Sequence, residues 1–438
     1  MSRYEDLLDK IKRKEAKVAV IGLGYIGLPT ALFYAMRGMD VRGIDTNKTL
    51  VDELKESKIS IHEEGLSEIA SEYLPKIKLQ TDYHGVEETD VCVLCLPSPV
   101  DKRGKTVTKY LENAVVDIAK RMKQGCLVLN ESTVPVGTTQ ALFQLFSKES
   151  KMSEKEFWFA HCPERVLPGK VVEEMDTNHR LAGGTSDEAV ILAVAFLQTV
   201  FKPELIHPTS SGVSEAAKLA ENAFRDVNIS YANELAKLCT HLSIDVTEVI
   251  KLANLHPRVS ILNPGIGVGG YCLPKDGWIL IESAKAKGGK AELIPAARHV
   301  NDSMPSHVAK RILDEVMTRQ ELTTVGLLGL SFKENVSDTR NSPTVDLLTT
   351  IDLMASLRST EVNVIVYDPL VRESFGAKRA ENMDDFLKSS EIVVMCVGHT
   401  QILDELKSKD LSEKVFFDPR NMMPELKSKV KKYVGLSV

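Results

Sequence analysis

The chain of 438 residues holds no apolar run near the length of a membrane-crossing helix and no low-complexity tract, so a soluble globular protein with no membrane partner is expected. Its start, Met1-Ser-Arg-Tyr-Glu-Asp6, lacks the apolar stretch of a secretory signal, which points to the cytoplasm. The seven cysteines, at 92, 95, 126, 162, 239, 272 and 396, are scattered and odd in number, which argues against a disulfide framework. Cys92 and Cys95 have CxxC spacing, but they fall within Val91-Cys-Val-Leu-Cys-Leu96, a buried-strand pattern in which i and i+3 face opposite ways. With no second pair, no metal site is expected. A positive field is missing as well: the net charge of −6 disfavours nucleic acid as a partner, and an anionic ligand would need locally placed cations.

What is present is the texture of an α/β protein too long for one core, so two or three domains are expected. Short apolar runs, Lys17–Ile21, Val41–Ile44, Val91–Leu96, Leu127–Asn130, Phe157–Ala160 and Arg180–Ala182, alternate with helix-period segments, the pattern of a parallel sheet with crossover helices. From Ser211 to about Lys251 a long alanine- and leucine-rich helical pattern carries no strand signal. Strand patterns resume at Val325–Leu330, Val362–Tyr367, Ile392–Val397 and Val415–Phe417, with a helix opening near Pro343. The expected division is a Rossmann-like domain over residues 1–208, a helical middle over 209–318 and a second, smaller Rossmann-like domain over 319–438.

The first strand runs into Gly22-Leu-Gly24-Tyr25-Ile26-Gly27 and then a helical pattern over Leu28–Arg37. Gly22 permits a tight turn, Gly24 lets the backbone approach a pyrophosphate, and Gly27 lets helix and strand pack closely. Asp45, ending the second strand, would accept hydrogen bonds from a ribose and repel a 2′-phosphate, which favours NAD over NADP. Pro97-Ser98-Pro99 and Glu131-Ser-Thr133-Val-Pro135 follow strands on the same edge and could touch the nicotinamide half. Taken singly, each reads first as an ordinary βα loop.

Four further segments carry chemistry. Lys218, Asn222 and Arg225 fall at i, i+4 and i+7, one helix face that would cradle an anion, with Lys218 stabilising developing oxyanion charge. Asn263-Pro-Gly265-Ile-Gly267-Val-Gly269-Gly270-Tyr271-Cys272-Leu-Pro-Lys275-Asp276 places four glycines before a cysteine, exposing backbone N–H groups to a ligand. Cys272 would be a nucleophile favoured by Lys218 or Lys275, with Asp276 relaying a proton; a buried structural cysteine is the competing reading. In His161-Cys-Pro-Glu164-Arg165-Val166-Leu-Pro-Gly169, Glu164 is a candidate base and Arg165 a substrate contact. In Ser331-Phe332-Lys333 and the following loop to Arg340, a third glycine is missing, which argues against a second dinucleotide; Phe332 could stack on a base while Lys333 and Arg340 meet phosphates.

These segments, in this order, resemble the UDP-glucose/GDP-mannose dehydrogenase family along essentially the whole chain. The resemblance implies two Rossmann-like domains joined by a long helix that also builds a homodimer, NAD on the first domain, and a UDP-sugar held against the second. It further implies a four-electron oxidation in which Cys272 carries a thiohemiacetal and then a thioester, Lys218 acts with support from Asn222 and Asp276, Thr133 lies near the nicotinamide, Glu164 serves hydrolysis, and Arg340 reaches towards NAD. The segments His161–Gly169 and His256-Pro-Arg258-Val look most like the members acting on UDP-N-acetylmannosamine, in which the equivalent of Arg258 enters the partner's site. Tyr271 and Gly277 depart from that pattern, which usually has His and Pro there, and leave UDP-glucose and UDP-N-acetylglucosamine open as substrates. Two other classes are compatible with the first domain: two-electron β-hydroxyacid dehydrogenases and a non-catalytic NAD-sensing module. Neither has a use for Cys272.

Overall fold

The apolar runs become strands of two separate sheets in the computed structural model, which describes residues 2–61, 63–101, 105–318 and 324–438. The chain divides into one compact unit of Met1–Glu221 with Ile279–Lys290 and a second of Asn222–Trp278 with Ala291–Val438. Residue 319, the expected start of the last domain, lies outside the described residues. Among the described residues no helix is long and apolar enough to cross a membrane.

The first unit holds β1 (Val18–Ile21), β2 (Val41–Ile44), β3 (Lys78–Gln80), β4 (Val91–Leu94), β5 (Cys126–Asn130), β6 (Phe157–His161), β7 (Arg180–Gly184) and β8 (Ile206–Ser210), in the order β3-β2-β1-β4-β5-β6-β7-β8. Its central strands β1, β4, β5 and β6 are buried on both faces because helices cover both. Val18, Val20, Leu127 and Leu129 pack with Leu28, Ala31 and Leu32 of the Gly27–Met36 helix, while Ala19, Ile21, Cys126 and Val128 pack with Leu111, Val115 and Ile118 of the Lys109–Ala119 helix. Each such fully buried aliphatic side chain contributes about 1.5–3 kcal/mol. Cys92 and Cys95 face opposite layers, as alternation requires. Two strands depart from the expected parallel sheet: β7 pairs with β6 antiparallel, through Ala160 with Gly184 and His161 with Gly183, and β8 runs parallel to β7, so both oppose the other six. The connection between β6 and β7 holds only the short helix Val171–Thr177, and no crossover returns the chain to the start of the sheet.

The second unit holds β9 (Thr324–Leu328), β10 (Asn363–Tyr367), β11 (Lys378–Arg379), β12 (Ile392–Met395), β13 (Val415–Asp418) and β14 (Lys432–Gly435), all parallel, in the order β11-β10-β9-β12-β13-β14. Each sheet therefore contains the same doubly wound order, which reverses direction beside its first strand and opens a crevice there. The long helix Ser211–Leu242 crosses from one unit's residues to the other's between Glu221 and Asn222. The expected helical run to about Lys251 is broken at Ser243, whose φ of 54° is left-handed; Asp245 then caps a new helix, Val246–Ala253, by accepting from the Thr247 N–H.

Candidate active site

In the first unit, Gly22 turns the chain with φ of 90°, and a Cβ there would stand 2.5 Å from the Cys95 carbonyl oxygen. A Cβ on Gly27 would come within 1.7 Å of the Gly22 oxygen, so helix and turn touch without room for a methyl group. Gly24 is different: nothing lies within 4 Å of its Cβ position, and the residue is exposed. The open side of Gly24, before the Gly27–Met36 helix, is the cradle a dinucleotide pyrophosphate needs, and the residues present fit NAD. Asp45 is held at the end of β2 by accepting from the N–H groups of Leu23 and Asn47, each at 2.8 Å. The Tyr25 hydroxyl donates to Glu63, which also accepts from the Gly169 N–H at 2.7 Å and ties the glycine loop to the segment after Val166. Ile26 is the N-cap of the helix.

The loops after β4 and β5 are brought together. The Leu96 N–H donates to Ser132 Oγ at 2.9 Å, and the Ser98 hydroxyl donates to the Thr133 carbonyl, leaving Pro97 exposed and Thr133 half-buried. Behind them lies a group that the sequence reading did not single out. Glu131 is buried and accepts from Thr30 Oγ1, the Tyr34 hydroxyl and the Cys95 thiol, each at 3.2 Å. Burial first, and the charge of Glu164 second, push its carboxyl up to about 7. Glu164 is buried too, paired with Arg180 at 2.9 Å and accepting from the Arg165 N–H at 2.7 Å; the Arg180 guanidinium stacks 3.6 Å from the Phe201 ring centroid. Arg165, expected at the substrate, is occupied within its own unit by Glu221 at 2.6 Å and the His179 carbonyl at 2.8 Å. His161 is fully buried, with Nε2 against the Ser132 carbonyl and Nδ1 against Ser214 Oγ, and burial pushes it down to about 3, so the ring is neutral. The half-buried Lys218 stands one helical turn before Asn222.

In the second unit, Cys272 is exposed and immediately precedes the helix Leu273–Lys285. Its carbonyl accepts from the N–H groups of Lys275 and Asp276 at 3.1 and 2.9 Å. Negative charge on residue 272 is thereby placed at a helix N-terminus, which stabilises anions. Asp276 is wholly buried and held by Asn222 Nδ2 at 2.6 Å and Lys275 Nζ at 2.7 Å, so Lys275 serves the aspartate. Arg225, expected on the same stripe, is exposed. Gly277 has a packing reason: a Cβ would meet Ile294 at 2.7 Å.

The glycines before Cys272 work differently from expectation. A Cβ on Gly269 would stand 2.4 Å from the Asn341 carbonyl, and one on Gly270, whose φ is 84°, would press on the Phe332 ring at 2.8 Å. The Gly270 N–H donates to the Arg340 carbonyl at 3.0 Å. These glycines let two loops of one unit interlock, and the backbone N–H of Gly270 is spent on that contact. Phe332 is half-buried against them, and Lys333 is half-buried; Arg340 binds Asp338 through Nε at 3.0 Å and lies 5.2 Å from the Tyr271 ring centroid. His256 and Arg258 are exposed in the loop beyond the Val246–Ala253 helix.

Comparison with known proteins adds the following. Residues 16–204 match the UDP-glucose/GDP-mannose dehydrogenase family, NAD binding domain; 212–303 match its central domain and 326–425 its UDP binding domain. A UDP-N-acetyl-D-mannosamine dehydrogenase of Methanococcus maripaludis is 35% identical, with 93% of each chain covered. An NDP-N-acetyl-D-galactosaminuronic acid dehydrogenase of Ralstonia nicotianae is 35% identical, covering 92% of this chain and 96% of that one. The solved structure of a UDP-D-ManNAc dehydrogenase from Pyrococcus horikoshii superposes with a TM-score of 0.86 at 33% identity, covering 96% of this chain and 99% of the other.

Proposed function

Because the chain belongs to the UDP-glucose/GDP-mannose dehydrogenase family and is an NAD-dependent nucleotide-sugar dehydrogenase, we propose that it oxidises the C6 hydroxyl of UDP-N-acetyl-D-mannosamine to a carboxylate. The observation that carries this reading is an exposed Cys272 at a helix N-terminus, followed by a buried Asn222–Asp276–Lys275 set. Gly22, Gly24 and Gly27 would hold NAD, with Asp45 available to its ribose, and NAD would supply the hydride acceptor, two per sugar. In the proposed course the C6 hydroxyl loses its proton to solvent, Lys218 stabilises the resulting alkoxide, and departure of the first hydride from C6 would leave an aldehyde. The Cys272 sulfur then bonds to the aldehyde carbon, giving a thiohemiacetal, and the second oxidation leaves a thioester on the same sulfur. Water attacks the thioester carbon, Glu164 takes a proton from that water, and the C–S bond breaks with its electron pair on sulfur. The carboxylic acid so formed releases its proton to solvent.

Arg165, Val166, Arg225, His256, Arg258, Gly269, Phe332 and Lys333 stay with the sugar nucleotide in this proposal, Tyr25, Ile26, Pro97, Thr133 and Arg340 with NAD, and 1–208, 209–318 and 319–438 remain the proposed functional division. The matched family spans support that division. A homodimer is part of the reading. Phe224, Tyr231, Leu238 and Leu242 of the long helix are exposed by 66, 51, 55 and 66%, spaced seven, seven and four apart, an apolar stripe that a second copy would cover. We place the enzyme in the cytoplasm, where the buried thiols of Cys92, Cys126 and Cys162 would stay reduced.

The Ralstonia relative, named for an N-acetylgalactosaminuronic acid, supports a 2-acetamido sugar without fixing the epimer. NADH yield should be measured with UDP-N-acetylmannosamine, UDP-N-acetylglucosamine and UDP-glucose. Two NADH per UDP-N-acetylmannosamine is expected; turnover confined to UDP-glucose would refute the sugar assignment, and one NADH per sugar would refute the covalent route.

A further inference from the structure

Two buried carboxylates in the first unit depend on a single guanidinium. Glu164 Oε2 pairs with Arg180 Nη1 at 2.9 Å, while Arg180 Nη2 donates to the Met175 carbonyl at 3.2 Å and Arg180 Nε, also buried, has no hydrogen-bond partner among the described residues. Glu131 faces this group with hydroxyl and thiol donors only: Thr30 and Tyr34 from the Gly27–Met36 helix and Cys95 after β4. The other titratable or charged groups around it are Cys162 after β6, Glu164, and Arg180, whose charge acts on both carboxylates. One cation cannot neutralise two buried anions, so one carboxylate in the set holds a proton or the pair competes for Arg180.

We propose that Glu131 is a positioning residue that governs how firmly Arg180 holds Glu164, and through it how freely Glu164 serves thioester hydrolysis. This rests on the reading of Glu164 given above. With Glu131 protonated, Arg180 belongs to Glu164 and holds its carboxylate in the buried pair. When Glu131 loses its proton, its negative charge competes for Arg180 and loosens the 2.9 Å pair with Glu164, freeing that carboxylate to meet a water. Water then adds to the thioester carbon, its proton passes to Glu164, and sulfur departs with the bonding pair. The carboxyl of Glu131, pushed up to about 7 by burial and then by Glu164, changes charge in the working range of such an enzyme.

The test uses the full-length enzyme with UDP-N-acetylmannosamine and NAD, following kcat from pH 6 to 9 together with the mass of the protein trapped during turnover. Wild type should show hydrolysis rising through about pH 7. Glu131→Gln should lose that rise and, at pH 8, accumulate an acyl adduct on Cys272 with turnover at least tenfold lower, while its KM for NAD stays unchanged. Glu131→Asp should restore the rise. Tyr34→Phe, which removes one donor to the anion, should move the rise to higher pH. Two NADH per sugar with superimposable pH profiles in Glu131→Gln and Tyr34→Phe would overturn the role of Glu131 and leave the reaction standing. One NADH per sugar and no adduct in wild type would overturn both.

Discussion

Asn222 Nδ2 donates to Asp276 at 2.6 Å, joining the long helix to the helix that begins behind Cys272. Asp276 is wholly buried and its other oxygen is taken by Lys275, so its charge is compensated inside the protein and cannot be solvated by water.

Asn222→Ala therefore leaves a buried acceptor short of one donor and should cost about 1–3 kcal/mol of stability. Asp276→Leu strands the Lys275 ammonium and should cost more, about 3–5 kcal/mol. Urea unfolding of the two variants gives the order; equal midpoints would show that the network is slack. Both variants should also lower kcat, because this contact anchors the turn that carries Cys272.

Cys272→Ser separates chemistry from folding. The residue is exposed, so its unfolding midpoint should stay within about 0.5 kcal/mol of wild type. Turnover to the carboxylate should fall by at least about 10³-fold, since residues that act as a unit in covalent catalysis fail together. Wild-type rate and product from this variant would exclude the thioester.

The glycine loop makes a contrast between neighbours. At Gly27 a methyl group collides with the Gly22 oxygen, so Gly27→Ala should destabilise the first unit and lower its melting temperature. At Gly24 a methyl group meets open space, so Gly24→Ala should fold normally and raise the KM for NAD by obstructing the phosphate approach. Calorimetry and NAD titration of both variants read the difference directly; a Gly24→Ala enzyme with unchanged NAD affinity would move the cofactor elsewhere.

That contrast also marks what could be read before the structure. The strands Val18–Ile21, Val91–Leu94 and Cys126–Asn130 were legible because full burial writes a continuous apolar run. Lys78–Gln80, Ile206–Ser210, Lys378–Arg379 and Lys432–Gly435 were not, being the edge strands of the two sheets, with exposed or half-buried residues. The direction of β7 leaves no trace in composition at all. At the site, Cys272, Asn222 and Asp276 stood out by spacing and residue type, whereas the service of Lys275 to its neighbour Asp276 depends on a side-chain conformation, and the packing of Gly269 and Gly270 against Phe332 and Asn341 on a loop distant in sequence. Glu131 carried a signal that went unweighed: an acid directly after the fully buried strand Cys126–Asn130 must find donors in the interior.

The exposed stripe of the long helix gives a prediction about assembly. Phe224→Asp together with Tyr231→Asp puts two charges where a partner helix would have to desolvate them. Gel filtration with light scattering should find wild type as a dimer or larger and the double variant as a monomer with secondary structure intact. A wild-type monomer would remove the proposed role of the stripe.

The pH dependence of stability tests the state of His161. Its ring is fully buried, and in the neutral form Nε2 donates to the Ser132 carbonyl at 3.2 Å while Nδ1 accepts from Ser214 Oγ at 2.9 Å. Burial pushes its pKa down to about 3, whereas the unfolded chain titrates near 6.5, so between those values the unfolded state binds the extra proton. The stabilisation is complete above about pH 6.5 and is lost as pH falls towards 3, at roughly 1.4 kcal/mol per pH unit in the middle of that window. His307, pushed down to about 4 chiefly by burial, acts in the same direction and has to be separated from it. His161→Gln does so, because the amide can donate to Ser132 and accept from Ser214 without titrating. The stability difference between wild type and His161→Gln should shift in favour of the variant as urea midpoints are measured from pH 7 down to 5. If the two lose stability in parallel over that range, His161 is not held neutral and the burial of β6 has been misjudged.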